Sequence, residues 1–308
     1  MRILITGAAG FIGRHCMHVL REHGYEIHAL GRTPLSGDIP ATWHAVDLST
    51  PGVIVPLMAD VRPTHLLHLA WYTAPKAYWT APENLQWVAI SLELLRAFAS
   101  HGGKRTVMAG SCAEYEWAYS DYSELDTPCR PSTLYGMCKH GLNTIARFYA
   151  AQAGLSYAWA RIFFLYGPYE NPARLVPAVT RALVSGARAR SSPGTQARDF
   201  LYVEDAARAL VQLVESDVQG PVNIGSGQAI PIRELASRIG DMLGLADRID
   251  FGALPPPVGE PSVIRADNRR LVKEVGWHPR YDLDGGLGRT VEWWRHREQE
   301  RSSEPSAS

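Results

Sequence analysis

RILITGAAGFIG, at residues 2–13, decides the fold of this chain. The apolar stretch RILIT runs into a loop with glycine at every third position. FIGRHCMHVLREHG then continues with helical spacing before a second apolar stretch, YEIHAL. In this order a glycine pattern indicates a dinucleotide site, because glycine lets the backbone approach a pyrophosphate whose charge meets N–H groups and the positive end of the helix dipole. The sequence therefore predicts cofactor contacts at Gly7, Gly10, Phe11, Ile12 and Gly13.

The alternation of strands and helices continues beyond this first unit. Strand candidates at 65–70, 106–110 and 157–164 alternate with helix candidates at 84–100 and 132–153. Such alternation is typical of a parallel sheet covered by helices on both faces. The sequence predicts an α/β fold with a Rossmann-like, doubly wound parallel sheet and a smaller α/β substrate-binding lobe on its C-terminal side.

The domain limits follow from a change in composition. In the second half of the chain, proline and glycine become frequent and the elements shorten. We assign residues 1–165 to the dinucleotide-binding domain, to which 201–225 return, and residues 166–200 and 226–298 to the substrate lobe. The last stretch, 299–308, is polar, and we expect it to be a disordered tail.

Composition narrows the function classes. Thirty-one basic residues balance thirty-one acidic ones at a sequence pI near 7.2, so neither nucleic acid nor an anionic membrane surface is an expected partner. No long apolar run suggests a membrane helix or a leader, which predicts a soluble cytoplasmic protein. The four cysteines lack paired metal-ligand spacing, and the histidines have no converging carboxylates, so no metal site is expected.

The end of the second strand bears on the choice of cofactor. NAD-selective sites usually place a carboxylate there to hold the ribose hydroxyls, whereas this chain continues with Gly31 and Arg32. A guanidinium at Arg32 would pair with a 2′-phosphate, and Arg14 is a weaker candidate for the same task. The sequence predicts NADP(H) in preference to NAD(H); the alternative is that both arginines are merely solvated.

LYGMCKH, at residues 134–140, places Tyr135 and Lys139 one helical turn apart. A free tyrosine has a pKa near 10, so proton transfer at neutral pH needs help worth roughly three units, about 4 kcal/mol. An ammonium nearby supplies such help by stabilising the phenolate. Tyr135 is the predicted general acid and base, and Lys139 its electrostatic partner.

Taken together, these motifs resemble those of the extended short-chain dehydrogenase/reductase family acting on nucleotide sugars. The resemblance covers about residues 2–295. It is carried by TGAAGFIG, HLA (68–70), Ser111 after TVMAG, YGMCK, RIFFLYGP (161–168), RDFLYVED (198–205), VNIGSG (222–227), GEPSVIRAD (259–267) and GWHP (276–279).

The resemblance implies further roles. Ser111 would hold the reacting oxygen of the sugar, and Lys139 would also bind the nicotinamide ribose. Further cofactor contacts are implied at Asp47, Leu48, Leu69 and Ala70, and further substrate contacts at Cys112, Phe164, Arg198 and Arg265. Two alternatives stay open here: Asp47 as the cap of a strand end, and Arg198 as the partner of Asp199 or Asp205.

The resemblance also narrows the reaction. Family 4,6-dehydratases carry Asp-Glu after the catalytic hydroxyl residue, whereas this chain has Cys112 and Ala113, which disfavours dehydration. A 4-epimerase and a 4-ketoreductase remain. Arg32, with Trp87 and Phe164 where asparagine is usual, favours an NADPH-dependent reductase of a dTDP-, GDP- or CDP-linked 4-keto-6-deoxysugar. The alternatives are an NAD-dependent nucleotide-sugar 4-epimerase and a non-catalytic regulatory or binding member of the fold.

Quaternary structure is the last expectation. The long helices at 84–100 and 132–153 resemble those that form a four-helix dimer interface in the family, which suggests a homodimer. Apolar residues in the first of these helices, such as Leu94 and Phe98, would equally suit the core.

Overall fold

The computed structural model describes residues 1–35, 39–256 and 259–303. Within these ranges the strands are β1 (Arg2–Thr6), β2 (Glu26–Gly31), β3 (Thr42–Ala45), β4 (His65–His68), β5 (Arg105–Ser111), β6 (Asp121–Tyr122), β7 (Ser156–Ile162), β8 (Phe164–Tyr166), β9 (Ala189–Ser191), β10 (Ala197–Tyr202), β11 (Gly220–Ile224), β12 (Ala229–Pro231), β13 (Ile249–Phe251) and β14 (Val263–Ala266).

The helices connect these strands. The α-helices of the described part are α1 (Phe11–Glu22), α2 (Ile54–Val61), α3 (Glu83–Ser100), α4 (Leu134–Gln152), α5 (Leu175–Val184), α6 (Val203–Glu215), α7 (Ile232–Leu243), α8 (Arg269–Lys273) and α9 (Leu283–Ser303). Short 3-10 helices occur at Cys112–Glu114 and Ala246–Arg248.

Seven strands form the main sheet, in the order β11-β7-β5-β4-β1-β2-β3. Every neighbouring pair in it is parallel. The chain steps outward in both directions from β1, so the strand order reverses between β1 and β4. Ligands in doubly wound sheets bind beyond the carboxyl ends of the strands at such a switch point. The predicted Rossmann-like α/β fold is confirmed.

Helices cover both faces of this sheet. On one face α1 and α6 close a core that includes Ile3 and Ile5, and on the other face α2, α3 and α4 close a core that includes Leu4 and Leu66. Successive residues of β1 thus point into two different cores. This explains why β1 reads as a continuous apolar run rather than an alternating one.

A smaller set of elements lies after the main sheet in sequence. The second sheet has five strands, with β12-β10-β14-β6 in order and β8 beside β10, and β13 pairs with β9. A separate core joins α5, α7 and α9. Because β11 belongs to the main sheet and α6 packs on it, the structure is compatible with the return of 201–225 to the first unit. The domain limits themselves remain our proposal.

One expectation about the C-terminus was wrong. Residues 299–303 continue α9 instead of starting a disordered tail, while 304–308 lie outside the described residues. The helix is held to the lobe in its last third, where the Arg181 Nε atom lies 2.6 Å from a carboxylate oxygen of Glu298. Among the described residues, no helix has the length and apolar character needed to cross a membrane.

Candidate active site

The glycine loop takes a shape that only glycine allows at two positions. Gly7 has φ of 69°, in the left-handed region, and a Cβ atom there would lie 2.9 Å from the backbone nitrogen of Ala70. A Cβ atom on Gly13 would lie 2.1 Å from the Gly7 carbonyl oxygen. The loop therefore rests directly on the Leu69–Ala70 backbone, whose N–H groups both donate to the Thr6 hydroxyl at 3.2 Å.

The start of α1 has the geometry that a pyrophosphate needs. Gly10 is the N-cap residue and brings no side chain to the first-turn N–H groups of Phe11, Ile12 and Gly13. Unshielded N–H groups at a helix N-terminus attract phosphate. The residues present thus fit a dinucleotide cofactor, and the predicted loop contacts lie together.

The second predicted cofactor region lies beyond β2. Arg32 is exposed. Hydrogen bonds from the Ser49 hydroxyl and N–H lower the pKa of Asp47, and the charge of Arg32 contributes less to the same shift. Leu48 is buried in the core behind them. Arg14 donates to the Ala9 carbonyl at 3.1 Å, and its guanidinium stacks 3.8 Å from the Tyr169 ring centre. Arg32, not Arg14, is thus the more available cation.

Ser111 and Tyr135 meet at the carboxyl end of the main sheet. Ser111 is the last residue of β5, and Tyr135 is the second residue of α4, whose start is capped by the Thr133 hydroxyl accepting from the Gly136 N–H at 3.1 Å. Burial raises the pKa of Tyr135 well above its usual range, and a hydrogen bond with Ser111 partly opposes this rise. The predicted hydroxyl pair is therefore assembled.

Lys139 follows Tyr135 by one turn of α4, in agreement with the spacing in the sequence. Its side chain is buried, and its Nζ donates to the Ala109 carbonyl at 2.7 Å while lying 3.6 Å from the Trp71 ring centre. In the described part of the chain no hydrogen bond joins Lys139 to Tyr135. Burial lowers the pKa of Lys139 to about 7, opposed by the charge of Glu114. Stabilisation of the Tyr135 phenolate by this ammonium stays a prediction.

Aromatic rings surround Tyr135 in a way that our sequence reasoning missed. Its ring centre lies 5.0 Å from Tyr78, 5.8 Å from Trp79 and 6.5 Å from Trp71, all with edge-on geometry. The Tyr135 N–H also donates to the Trp79 carbonyl at 3.1 Å. The signal was the aromatic stretch WYTAPKAYW (71–79) directly after HLA. These rings form one wall of the candidate site.

Glu114 was also missed as part of the support for the site. This residue is fully buried, and its carboxylate accepts from the Ser111 N–H at 2.8 Å, the Trp159 Nε1–H at 2.8 Å and the Arg161 Nε–H at 3.1 Å. A carboxylate engaged by three donors fixes the turn after β5. It is not free to act as an acid or base on a substrate.

The predicted substrate residues are spread over a wider area. Cys112 is buried beside Ser111, and burial raises the pKa of its thiol to about 12, so it is neutral at physiological pH. The centres of the Phe164 and Phe200 rings lie 5.9 Å apart, and the Arg198 guanidinium lies 5.7 Å from the centre of the Phe164 ring. Cys112 therefore adjoins Ser111, and Phe164 belongs to the β8–β10 region.

Arg198 is buried and already engaged. It donates to Glu260 at 2.7 Å and to the Pro261 carbonyl at 2.9 Å. The alternative in which it pairs with Asp199 or Asp205 was wrong: Asp199 accepts from Ser226, Gly227 and Ala266, and Asp205 from the N–H groups of residues 280 and 281. A role of Arg198 at a diphosphate stays a prediction.

Arg265 lies on the surface rather than in the interior. Its guanidinium makes a two-pronged ion pair with Asp121 of β6, and both side chains are about half exposed. The surface beside this pair includes Asp267 and Asn268. The structure does not bring Arg265 into contact with Ser111 or Tyr135, so a substrate role for it stays a prediction.

Several known proteins are similar to this chain in sequence and in fold. Residues 3–225 match the NAD dependent epimerase/dehydratase family. UDP-glucuronic acid decarboxylase 1 of Danio rerio is 29% identical over 95% of this chain and 72% of its own length. UDP-glucose 4-epimerase of Mycolicibacterium smegmatis is 27% identical over 97% of this chain and all of its own. The structure of MoeE5 in complex with UDP-glucuronic acid and NAD superposes with a TM-score of 0.86, at 32% identity over 96% of this chain and all of that one.

These matches agree with what the glycine loop, the parallel sheet and the Ser111–Tyr135 pair indicate from within the chain. The family match covers more than half of the sequence, and the likeness to MoeE5 extends over nearly all of it. This chain belongs to the NAD dependent epimerase/dehydratase family.

Proposed function

We propose that this protein is an NAD-dependent 4-epimerase of a nucleotide-linked hexose. The observation that carries the proposal is the chemistry around Ser111 and Tyr135. Cys112 and Ala113 follow the serine, and the one carboxylate next along the chain, Glu114, is held by three donors. Within the part of the chain that the structure describes, the site thus offers one hydroxyl pair for proton transfer, and the carboxylate nearest to it in sequence is already engaged. Epimerisation at one carbon needs only such a pair, whereas elimination of water needs more.

Each residue has a definite task in this proposal. Tyr135 takes the proton of the C4 hydroxyl and later returns one to the C4 oxygen, while Ser111 orients that oxygen and shares its developing charge. Lys139 favours the phenolate when it carries its own charge. When bound, NAD supplies the chemistry of accepting a hydride from C4 and giving it back. Inversion requires that the sugar present its opposite face on the return.

The relatives support this reading better than the reductase that the sequence analysis favoured. UDP-glucose 4-epimerase of Mycolicibacterium smegmatis matches 97% of this chain over all of its own length. MoeE5 was solved with NAD, which supports NAD as the cofactor here. Cofactor contacts at Gly7, Gly10, Phe11, Ile12, Gly13, Asp47, Leu48, Leu69 and Ala70 are part of the proposal, as are catalytic roles for Ser111, Tyr135 and Lys139.

A 4-ketoreductase is the second candidate, and Arg32 is the observation in its favour. This exposed cation follows β2 where a ribose-binding carboxylate would be expected. The two candidates differ in stoichiometry. A reductase consumes one NADPH for each 4-keto-6-deoxysugar, whereas an epimerase interconverts its substrates without net consumption. Measuring absorbance of NADPH and NADH with dTDP-, GDP- and CDP-linked 4-keto sugars, beside an assay of UDP-hexose interconversion, separates them.

We also propose that the protein forms a homodimer through α3 and α4. These helices pack on each other and leave large apolar side chains exposed, including Leu85, Ile145 and Phe148. A hollow on α4 lies between Ile145, Phe148 and Tyr149. Exposed apolar clusters of this kind mark interaction sites. Sedimentation analysis tests the proposal: the wild type should be a dimer and Phe148→Glu a monomer, whereas a monomeric wild type would contradict it. A cytoplasmic location stays a prediction from composition.

A further inference from the structure

Asn84 organises the segment that follows β4. This fully buried residue accepts a hydrogen bond from the Trp71 indole N–H at 2.8 Å. Its amide group donates to the carbonyls of Tyr78 at 2.7 Å and Ala81 at 2.8 Å. One side chain therefore ties together three points of the segment 71–84. Such a fully satisfied buried amide is costly to disturb, because its loss strands several polar groups at once.

The hydrogen bond that Trp71 donates to Asn84 fixes the orientation of the Trp71 ring. The Trp87 ring of α3 also lies nearby, at 6.2 Å between ring centres. With its edge held by Asn84, the indole presents its face to Lys139, whose Nζ lies 3.6 Å from the ring centre. Tryptophan has the aromatic face that attracts a cation most strongly, and the attraction is largest where water is excluded.

We propose that Trp71, held by Asn84, is a positioning residue that fixes the Lys139 ammonium between the indole face and the Ala109 carbonyl and favours its charged form. The two closest contacts of this seat are the hydrogen bond to Ala109 at 2.7 Å and the Trp71 ring centre at 3.6 Å, while the Trp159 ring centre lies farther away, at 6.0 Å. Neither contact carries a formal negative charge. The seat therefore holds the ammonium but offers no base of its own that could take up the Tyr135 proton.

Two ionisable groups on neighbouring elements also act on Lys139 or respond to it. Glu114, behind β5, favours the ammonium. His68, at the end of β4, is held neutral: burial, assisted by the charge of Lys139, lowers the pKa of His68 to about 3. Within the described residues these are the ionisable groups that face Lys139 from the neighbouring strands, and Tyr135 precedes it by one turn on α4. Because the pKa of Lys139 is about 7, a modest change in its surroundings changes the charged fraction at neutral pH.

The inference rests on the proposed function only through the task given to Lys139. In that account the ammonium favours the Tyr135 phenolate. Trp71 therefore acts on turnover through Lys139, without having to touch the sugar. This relation predicts a pH-dependent effect of Trp71, which a loss of packing alone would not produce.

The test is a direct titration of Lys139. The chain has only four lysines, Lys76, Lys104, Lys139 and Lys273, so labelling with ¹³Cε-lysine gives a spectrum with few signals. Lys139→Met assigns the signal of interest. Trp71→Leu keeps an apolar side chain over Lys139 but removes the aromatic face. We expect it to lower the Lys139 midpoint by about 1.5 pKa units, the size of a desolvated cation–π contact. The Lys139 midpoint in Trp71→Phe should lie between the midpoints in Trp71→Leu and in the wild type.

Matched controls separate the ring face from general packing. Trp87→Leu removes the neighbouring indole, which packs on Trp71 and has no contact with Lys139, and it should leave the midpoint unchanged. Asn84→Leu should lower the midpoint in the same direction as Trp71→Leu. An unchanged midpoint in Trp71→Leu, or an equal shift in Trp87→Leu, would overturn the proposal.

A kinetic measurement shows the consequence for turnover. The alkaline fall of kcat should move to lower pH in Trp71→Leu and return towards wild type in Trp71→Phe. Because the titration is done without substrate, its result does not depend on which sugar is used. If the wild type lacks epimerase activity but the midpoints shift as expected, the proposed function fails and this inference stands. If the wild type is active and the midpoints do not move, only this inference fails.

Discussion

Glu114 and Arg161 form an ion pair inside the molecule, with 3.1 Å between the guanidinium Nε and the carboxylate. Both side chains are almost wholly withdrawn from water. The same carboxylate accepts from the Ser111 N–H and from Trp159, and Arg161 also donates to the Tyr115 hydroxyl at 3.1 Å. The network thus links β5 and β7 to the turn that follows Ser111.

Removing one member of this pair should be costly. Breaking a buried ion pair by truncating one partner typically destabilises a protein by about 3–5 kcal/mol, and we expect Glu114→Ala to lower the free energy of unfolding by this amount. The control is Glu116→Ala, since Glu116 pairs with Arg130 at 3.6 Å near the surface. Its effect should be about 0–1 kcal/mol. Denaturant unfolding measures both, and equal effects would contradict the structural role of Glu114.

Tyr135→Phe should separate binding from chemistry. The phenol oxygen is the proposed acid and base, so its removal should lower kcat by about 10²–10⁴-fold. Cofactor affinity, measured by fluorescence titration, should change little, because the glycine loop and α1 are untouched. Tyr119→Phe, at an exposed position, serves as the control and should keep full turnover. Wild-type turnover in Tyr135→Phe would remove the proposed mechanism.

Glu170 should make stability depend on pH. Burial raises the pKa of this residue to about 8, opposed by Arg174 and a backbone hydrogen bond at Gly167, and its Oε2 atom has no hydrogen-bond partner in the described part of the chain. The folded protein therefore binds a proton that the unfolded chain, with a pKa near 4.5, releases. The contribution of Glu170 is full below pH 4.5 and is lost as the pH rises through about 8.

Glu170→Gln removes this dependence. At low pH the variant should match the wild type in unfolding free energy. By about pH 9 it should be more stable by roughly 2–5 kcal/mol. Glu292→Gln, at an exposed site on α9, should show no such trend. Melting temperatures of both proteins should be measured across this pH range. If the wild type and Glu170→Gln showed the same pH dependence, the raised pKa of Glu170 would be contradicted.

Arg32→Ala tests the cofactor preference. If the Arg32 guanidinium meets a 2′-phosphate, the variant should bind NADPH about tenfold more weakly or worse, as expected for loss of a charge-assisted hydrogen bond, and bind NADH as before. Arg62→Ala, a surface change at the end of α2, is a suitable control. An unchanged ratio of the two affinities would refute the role of Arg32 and remove the main argument for a ketoreductase.

Local sequence patterns were enough to predict the main sheet and to select several residues of the candidate site. Gly7 and Gly13 could be identified from the sequence because a tight turn between a strand and a helix depends on neighbouring residues. Tyr135 was selected by its spacing to Lys139, and Ser111 by the family resemblance of the motifs around it. Each of these signals lies within a few residues of the chain.

The parts that escaped prediction depend on contacts between distant segments. Glu114 pairs with Arg161, which is 47 residues away in sequence. Trp71 contacts Lys139 of α4 although α3 and β5 lie between them in the chain. Arg198 finds Glu260 rather than its neighbour Asp199, because β10 and β14 pair in parallel and bring the loop before β14 beside it. The end of α9 was misjudged because its sequence is polar, whereas Arg181 of α5 provides an anchor that the sequence does not reveal.

The most direct test of the central claim is the configuration at C4 of the product. The purified protein with NAD⁺ should be incubated separately with UDP-glucose, UDP-glucuronic acid and UDP-N-acetylglucosamine, and the sugar followed by ¹H NMR while NADH absorbance is recorded. The account predicts that at least one sugar reaches an equilibrium mixture with its C4 epimer without net NADH formation, and that Tyr135→Phe abolishes this exchange. Retention of the C4 configuration in all three, together with stoichiometric NADPH consumption by a 4-keto sugar, would contradict it.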